Sequence, residues 1–231
     1  PFLTIKGDVG DQVIPFGDWT ESGSENGYTF YKSAGATIKV ANAVDVVGQT
    51  LIGNGSASSL TGQGMPDTIA GGAGAETIDG GAGADIINAG DGDDVIVFDA
   101  VDATVDAGVG IDILSVKDAT ADLTSVADRF SGFETIDLRG GDSNTLILDA
   151  DAVVAVASNN ALTINGTSED VLVLKGSWQA SGSPELVNGV AYQTYTGSAS
   201  GNTEARVKIA TDISLLSDVT GTSSNDSLTG V

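Results

Sequence analysis

Four acidic side chains recur at nine-residue intervals in the first half of the chain, each closing a glycine-rich run. Asp67, Glu76, Asp85 and Asp94 hold the sixth place of the units GQGMPDTIA, GGAGAETID, GGAGADIIN and AGDGDDVIV. Glycine reaches positive φ angles without steric cost, so these runs can bend tightly and expose carbonyl oxygens. Carboxylate and carbonyl oxygens are the ligands that a hard divalent cation such as calcium prefers. The spacing therefore predicts cation binding.

Each acid is followed by a short β-forming run with one inward aliphatic residue at the eighth place of the unit. If two units make one coil, stacked coils bring each turn against the turn two units later. This arrangement pairs Asp67 with Asp85 and Glu76 with Asp94, and the carbonyls of the turns complete an oxygen shell of about 6–8 ligands. The inward residues predicted by the same frame are Leu60, Ile69, Ile78, Ile87 and Ile96.

Further units extend this frame in both directions. GNGSASSLT places Ser58 at the acid position, AGVGIDILS places Asp112 there, and Asp226 lies in a unit that opens near the end of the chain. The alternative is that all these acids are solvated turn residues of a glycine-rich loop. The predicted ligands are the carboxylates of Asp67, Glu76, Asp85, Asp94, Asp112 and Asp226, and the backbone carbonyls of Gly72, Gly74, Gly81, Gly83, Gly90 and Gly92. Additional candidate ligands are Asp91, Asp93 and Asp99. Asp99 and Asp102 lie between two units, where they either cap the stack or add a ligand.

The nonapeptide frame resembles the G-G-x-G-x-D-x-U-x repeat of RTX proteins, which form calcium-binding parallel β-rolls. The resemblance covers about a quarter of the chain, and the flanking segments resemble modules of very large bacterial adhesins and surface-layer proteins. It implies several bound calcium ions, type I secretion and folding outside the cell. It also implies a surface or matrix location, with self-association between modules or copies and surface glycans as candidate partners.

Composition narrows the classes of function. The 231 residues carry 32 acidic and 9 basic side chains, a net charge of −23, and neither Cys nor His. Such a charge repels nucleic acid and anionic membranes. Without Cys and His, disulfides, the usual zinc sites and His-based triads are excluded. No apolar run is long enough to span a membrane, and no signal peptide is visible, so we expect a section of a longer protein.

An internal repeat organises the rest of the chain. Leu3–Gly7 matches Leu162–Gly166, and Ala36–Val44 matches Ala205–Ile213. The fold class predicted is all-β, an RTX-type parallel β-roll with flanking β modules and one or two short helices, over 118–130 and 149–160. The predicted divisions are a β module at 1–48, the calcium block at 49–116, a second β module at 117–216 whose second half repeats 1–48, and the start of another block at 217–231.

Two further groups of residues have alternative interpretations. Trp19 and Trp178, with nearby tyrosines, are either aromatic platforms for sugar rings or packing residues of the β modules. Acid pairs such as Asp8/Asp11 and Glu169/Asp170 are glycosidase carboxylates, solvated turn acids or extra calcium ligands. We therefore expect a non-catalytic, calcium-stabilised structural or adhesive section of a secreted protein. The alternatives are an export and folding module of a type I-secreted enzyme and a calcium-dependent carbohydrate-binding module.

Overall fold

A computed structural model describes residues 3–5, 20–25, 28–33, 36–41, 48, 50–53, 55–117, 120–141 and 143–218. Before residue 48 only the backbone of four strands is described; these are β1 (Leu3–Ile5), β2 (Thr20–Glu25), β3 (Tyr28–Ser33) and β4 (Ala36–Ala41). They form one sheet in the order β1-β4-β3-β2. Trp19 and Asp226 lie outside the described residues, so their predicted roles stay predictions.

The nonapeptide region folds as a parallel β-solenoid, in which alternate strands belong to opposite sheets. Its strands are β5 (Thr50–Ile52), β6 (Ser59–Thr61), β7 (Thr68–Gly72), β8 (Thr77–Asp79), β9 (Ile86–Gly90), β10 (Val95–Val97), β11 (Thr104–Asp106) and β12 (Ile113–Ser115). Two units make one coil, since Leu60 pairs with Ile78, Ile78 with Ile96 and Ile96 with Leu114. The inward aliphatic residues Ile69, Ile78, Ile87 and Ile96 are at most 1% exposed.

The solenoid continues into the second half of the chain with longer connections. The remaining strands are β13 (Thr120–Asp122), β14 (Phe130–Ser131), β15 (Thr135–Asp137), β16 (Thr145–Leu148), β17 (Ala161–Asn165), β18 (Val171–Lys175), β19 (Trp178–Val187), β20 (Val190–Ser198), β21 (Glu204–Ala210) and β22 (Ser214–Asp218). One nine-stranded sheet runs in the order β19-β20-β21-β17-β15-β12-β10-β8-β6. The calcium block and the second β module therefore share one continuous sheet.

Two smaller sheets complete the coils. The order β14-β11-β9-β7-β5 covers the opposite side of the calcium block, and β13-β16-β18-β22 covers that of the later coils. One hydrophobic core runs through both halves, from Ile69 to Ile213, and includes the ring pair Phe98 and Phe130 with centroids 5.4 Å apart. All of these coils therefore bury their apolar side chains in one shared interior.

The repeat seen in the sequence corresponds to a repeated strand topology. β1, β4, β3 and β2 pair in the same order and directions as β17, β21, β20 and β19. The register is also shared, because Leu3 pairs with Ile38 where Leu162 pairs with Val207. Both copies thus begin with a strand that pairs in parallel and continue with a three-stranded antiparallel segment.

The helix expected over 149–160 is present as α1 (Ala150–Val156), whose amide at Ala152 donates to the N-cap side chain of Asp149 at 2.8 Å. The helix expected over 118–130 is wrong. Thr120–Asp122 is a strand that pairs with β16, and only a 3₁₀ turn forms at Ala127–Arg129. The apolar side chains placed there at helical spacing are still buried, but they enter the core from a turn, because pairing between coils outweighs local propensity. A second 3₁₀ turn spans Ser200–Asn202.

Candidate metal centre

The acids of the nonapeptide units form two ladders along the solenoid, one at each side of the coil. The first ladder contains Glu76, Asp94, Asp112 and Glu134, and the second contains Asp67, Asp85 and Asp102. Each acid precedes a strand, and one carboxylate oxygen of each later acid accepts the backbone amide of the acid one coil earlier. The predicted pairs of Asp67 with Asp85 and of Glu76 with Asp94 are therefore brought together, with 2.7 Å between amide nitrogen and Oδ1 in both.

The same contact repeats beyond these pairs. The amide of Asp94 donates to Asp112 Oδ1 at 2.8 Å, and the amide of Asp112 donates to Glu134 Oε2 at 2.7 Å. The amide of Asp85 is 3.4 Å from Asp102 Oδ1, a longer contact. This recurring amide contact fixes the orientation of each carboxylate and directs its second oxygen into the turn.

Five carboxylate oxygens of the two ladders are buried without a hydrogen-bond partner. They are Oδ2 of Asp85, Asp94 and Asp112, and both Oε1 and Oε2 of Glu76. Their residues are at most 1% exposed. An unpaired buried carboxylate oxygen is costly because its hydration is lost without replacement. Solvated turn acids, the alternative that the sequence left open, do not describe these side chains.

Burial raises the pKa of these carboxyl groups, because the charged form loses its hydration. Burial raises the pKa of Asp102 to about 7, reinforced by the charges of Asp85 and Asp99. Burial raises the pKa of Asp112 to about 6, although the Asp94 amide opposes the shift. The pKa values of Glu76, Asp85 and Asp94 are also raised, in each case chiefly by burial. At Glu76, Asp85, Asp94 and Asp112, a bound cation would supply the positive charge that the described side chains do not.

The glycines allow the turns to stack closely enough for one ion to reach two of them. Gly90 has φ +105°, and a Cβ there would lie 2.1 Å from the Gly72 carbonyl oxygen; at Gly80 it would lie 2.4 Å from Asp85 Oδ2. Stacked strands are about 4.8 Å apart, about twice a calcium–oxygen distance. At this general strand spacing, oxygens of two successive turns could both bind one calcium ion.

The carbonyls predicted as ligands differ in what already contacts them. The Gly72 carbonyl accepts the Asp91 amide at 2.7 Å, and the Gly90 carbonyl accepts the Val109 amide at 2.8 Å. A carbonyl oxygen has two lone pairs, so one remains for an ion. A Cβ at Gly92 would lie 1.7 Å from the Gly74 carbonyl oxygen, and one at Gly81 would lie 2.2 Å from that of Gln63. A Cβ at Gly83 would likewise meet the backbone of Met65.

The additional candidates lie outside the ladders. Asp91 and Asp93 are exposed, and Asp93 Oδ1 accepts the amide of Ile111 at 2.9 Å. Asp99 is partly exposed and accepts the amide of Val101 at 3.0 Å. No group of three acidic side chains converges within the described residues. Each turn therefore offers at most a pair of carboxylates with backbone oxygens, and the three exposed acids stay untested as ligands.

Sequence reasoning did not assign Glu134 to the ladders, and it offered Asp102 only as a residue that either caps the stack or adds a ligand. Asp102 lies one place early in an irregular unit, at an interval of 17 residues from Asp85. Glu134 begins the tetrapeptide ETID, which also begins at Glu76. That identity is a signal from which Glu134 could have been found.

The structure shows the contacts of Trp178 and Asp170, for which the sequence left more than one interpretation. The Trp178 indole N–H donates to the Lys175 carbonyl at 3.0 Å, and its ring covers Gly197, where a Cβ would come within 2.9 Å. Asp170 is buried, accepting the Asn144 amide at 2.9 Å and the Thr167 amide at 2.7 Å. These contacts are those of packing and turn-forming residues, and sugar binding by Trp178 stays a prediction.

The fold and the turns define a class: a parallel β-solenoid whose glycine-rich turns carry stacked, buried carboxylates. Residues 61–96 match the RTX calcium-binding nonapeptide repeat, in four copies. This part of the chain is an RTX repeat block, and it binds several calcium ions. No curated protein and no solved structure matches the chain. In the part of the chain that the structure describes, no helix is long and apolar enough to cross a membrane.

Proposed function

We propose that calcium completes the turns of this block and drives its folding, with Glu76, Asp85, Asp94 and Asp112 as the principal carboxylate ligands. The observation that carries this proposal is the row of buried carboxylate oxygens without partners. Calcium supplies positive charge and takes oxygen ligands there. Since the ladders bring like charges together, charge repulsion destabilises the calcium-free block. The free energy of calcium binding then contributes to the free energy of folding.

We further propose a non-catalytic structural or adhesive role for the chain, within a secreted bacterial surface or matrix protein. RTX repeat proteins are typically secreted, and extracellular calcium is abundant enough to fill weak sites. The continuous nine-stranded sheet supports a structural role, because it joins the calcium block rigidly to the following module. The repeated strand topology supports an array of such modules, which could assemble as a fibre or lattice.

The second candidate is an export and folding module of a type I-secreted enzyme, for which the RTX match at residues 61–96 is equally suitable. The full open reading frame distinguishes the two proposals. Many further modules of this kind would favour the fibre or lattice, whereas one catalytic domain followed by this block would favour the enzyme.

Calcium titration of the chelated chain tests the central proposal. We expect far-UV circular dichroism to gain β signal at about 0.1–1 mM calcium, the range of weak extracellular sites. Magnesium is the matched control, because it requires smaller octahedral sites and dehydrates reluctantly. A chain with no spectral response to calcium would refute calcium-driven folding. Light scattering in the same titration reports assembly, and an unchanged monomer would argue against a self-assembling lattice.

A further inference from the structure

The second acid ladder ends abruptly after Asp102. One coil later, β14 pairs with β11, with Phe130 opposite Val105. The residue in the acid position of that coil is Asp128, which is exposed. Instead of a glycine-rich run, the chain before β14 forms the 3₁₀ turn at Ala127–Arg129, with Val126 and Ala127 buried. The next turn on this side therefore presents no buried carboxylate.

A protein cation faces the last turn of this ladder. The Arg129 guanidinium donates through Nη2 to the Ala100 carbonyl at 2.8 Å and through Nη1 to the Asp102 carbonyl. These two backbone oxygens belong to the turn that also carries the Asp102 carboxylate. Arg129 lies on the following coil, so its side chain reaches back across the gap between two successive turns.

In the preceding turn of this ladder, Asp85 Oδ2 is buried without a hydrogen-bond partner, and a calcium site is proposed there. We propose that Arg129 is the resident cation of the last gap in the second ladder, taking the place of calcium and ending the series of calcium sites on that side. The inference rests on the proposed calcium sites. A guanidinium suits this place because its rigid fork of donors satisfies two carbonyl oxygens at once and its charge is permanent.

The first ladder also ends against a side chain from a later segment. Its last acid, Glu134, accepts the amide of Asp112 through Oε2, and the hydroxyl of Ser158 donates to Oε1. At the end of both ladders, a side chain from a later segment thus donates hydrogen bonds to oxygens of the last turn.

The number of bound calcium ions tests the proposal. We expect Arg129→Ala, counted by equilibrium dialysis at about 10 mM calcium, above the range of weak extracellular sites, to bind one ion more than the wild-type chain. Arg129→Gln, which keeps a polar but shorter and uncharged side chain, should also gain one ion. Arg129→Lys should keep the wild-type count, since its ammonium still repels calcium. The matched control is Arg139→Ala, because Arg139 pairs with Asp137 at 2.8 Å on the exposed surface.

The outcomes separate this inference from the proposed function. If the wild-type chain binds no calcium, the proposed function fails. If the wild-type chain binds calcium and the folded Ala and Gln variants keep its count, the assignment of Arg129 alone is overturned. If neither variant folds at any calcium concentration, calcium cannot replace the guanidinium, and the assignment is overturned as well.

Discussion

Replacing Asp112 by Asn removes one buried negative charge while keeping the shape of the side chain. Asp112 is fully buried, its Oδ1 accepts the Asp94 amide, and its Oδ2 has no partner. The amide oxygen of Asn can still accept the Asp94 amide. The substitution therefore separates the charge of this group from its hydrogen bond, and it tests a unit beyond the matched repeats.

The structure predicts opposite effects of Asp112→Asn with and without calcium. Burial raises the pKa of Asp112 from 3.8 to about 6, and each unit corresponds to about 1.4 kcal/mol. At neutral pH the uncharged side chain should therefore stabilise the calcium-free fold, by an amount on the order of 1–3 kcal/mol after allowance for water entering the turn. With calcium at about 100 times the dissociation constant, loss of one site costs about 2.7 kcal/mol.

Thermal unfolding followed by far-UV circular dichroism at pH 7.5 measures both effects. One kcal/mol shifts the midpoint by about 2–4 °C in a chain of this size. We expect the variant to melt higher than wild type in chelator and lower in calcium. Asp106→Asn is the control, because Asp106 is exposed and contacts only the Ser131 hydroxyl at 3.2 Å among the bonds described. A variant that melts lower than wild type in both conditions would show that the charge of Asp112 stabilises the fold even without calcium, and would refute the reasoning.

Three further predictions concern pH, the turn glycines and the aromatic residues. In chelator, the free energy of unfolding should fall as pH rises from about 4 to about 7. The reason is that the folded chain, with raised pKa values at Asp102 and Asp112, binds more protons than the unfolded chain. Urea unfolding across this range measures the change, and a rise in stability would contradict the burial argument. Gly80→Ala should weaken calcium binding in titration calorimetry, since a Cβ would lie 2.4 Å from Asp85 Oδ2, whereas Gly64→Ala, with open space around its Cβ, should bind as wild type does. Trp178 is partly buried against the core, so Trp178→Ala should cost less by urea unfolding than the about 3–5 kcal/mol of a fully buried truncation, without changing the calcium count. A stable variant that loses binding on a glycan array would instead identify Trp178 as a sugar platform.

The nonapeptide block is the part of the fold that the sequence predicts best. Its period places Ile69, Ile78, Ile87 and Ile96 in the core and brings the acid pairs together, because each coil repeats the same local geometry and contacts only its neighbours. The acid at the sixth position of each unit thus determines the pairing, and the aliphatic residue at the eighth position determines the burial.

Where the period breaks, local signals no longer decide the structure. The buried side chains of Leu123, Val126 and Phe130 follow helical spacing, yet that segment begins with a strand because Thr120–Asp122 pairs with a strand far along the chain. Arg129 was not identified for the same reason, since its carbonyl partners lie 27 and 29 residues earlier. Contacts of that separation depend on how the irregular coils are stacked, which a single sequence does not state.

The calcium coils have nearly the same length, and this affects how the coding sequence can change. The acid pairs from Asp67 to Asp85, Glu76 to Asp94 and Asp94 to Asp112 are 18 residues apart, and Asp85 and Asp102 are 17 apart. By contrast, Asp112 and Glu134 are 22 apart, and Asn144 and Asp170 are 26 apart. Each calcium coil offers the next one the same strands, turn and carboxylate. An in-frame duplication or deletion of one coil's coding sequence would therefore restore the original junctions and change only the length of the stack. The later coils carry individual loops, a helix and a hairpin, so the same event there would separate parts that contact one another. The coding sequence can thus gain or lose whole coils in the calcium block, whereas the same change in the later coils would disrupt their packing.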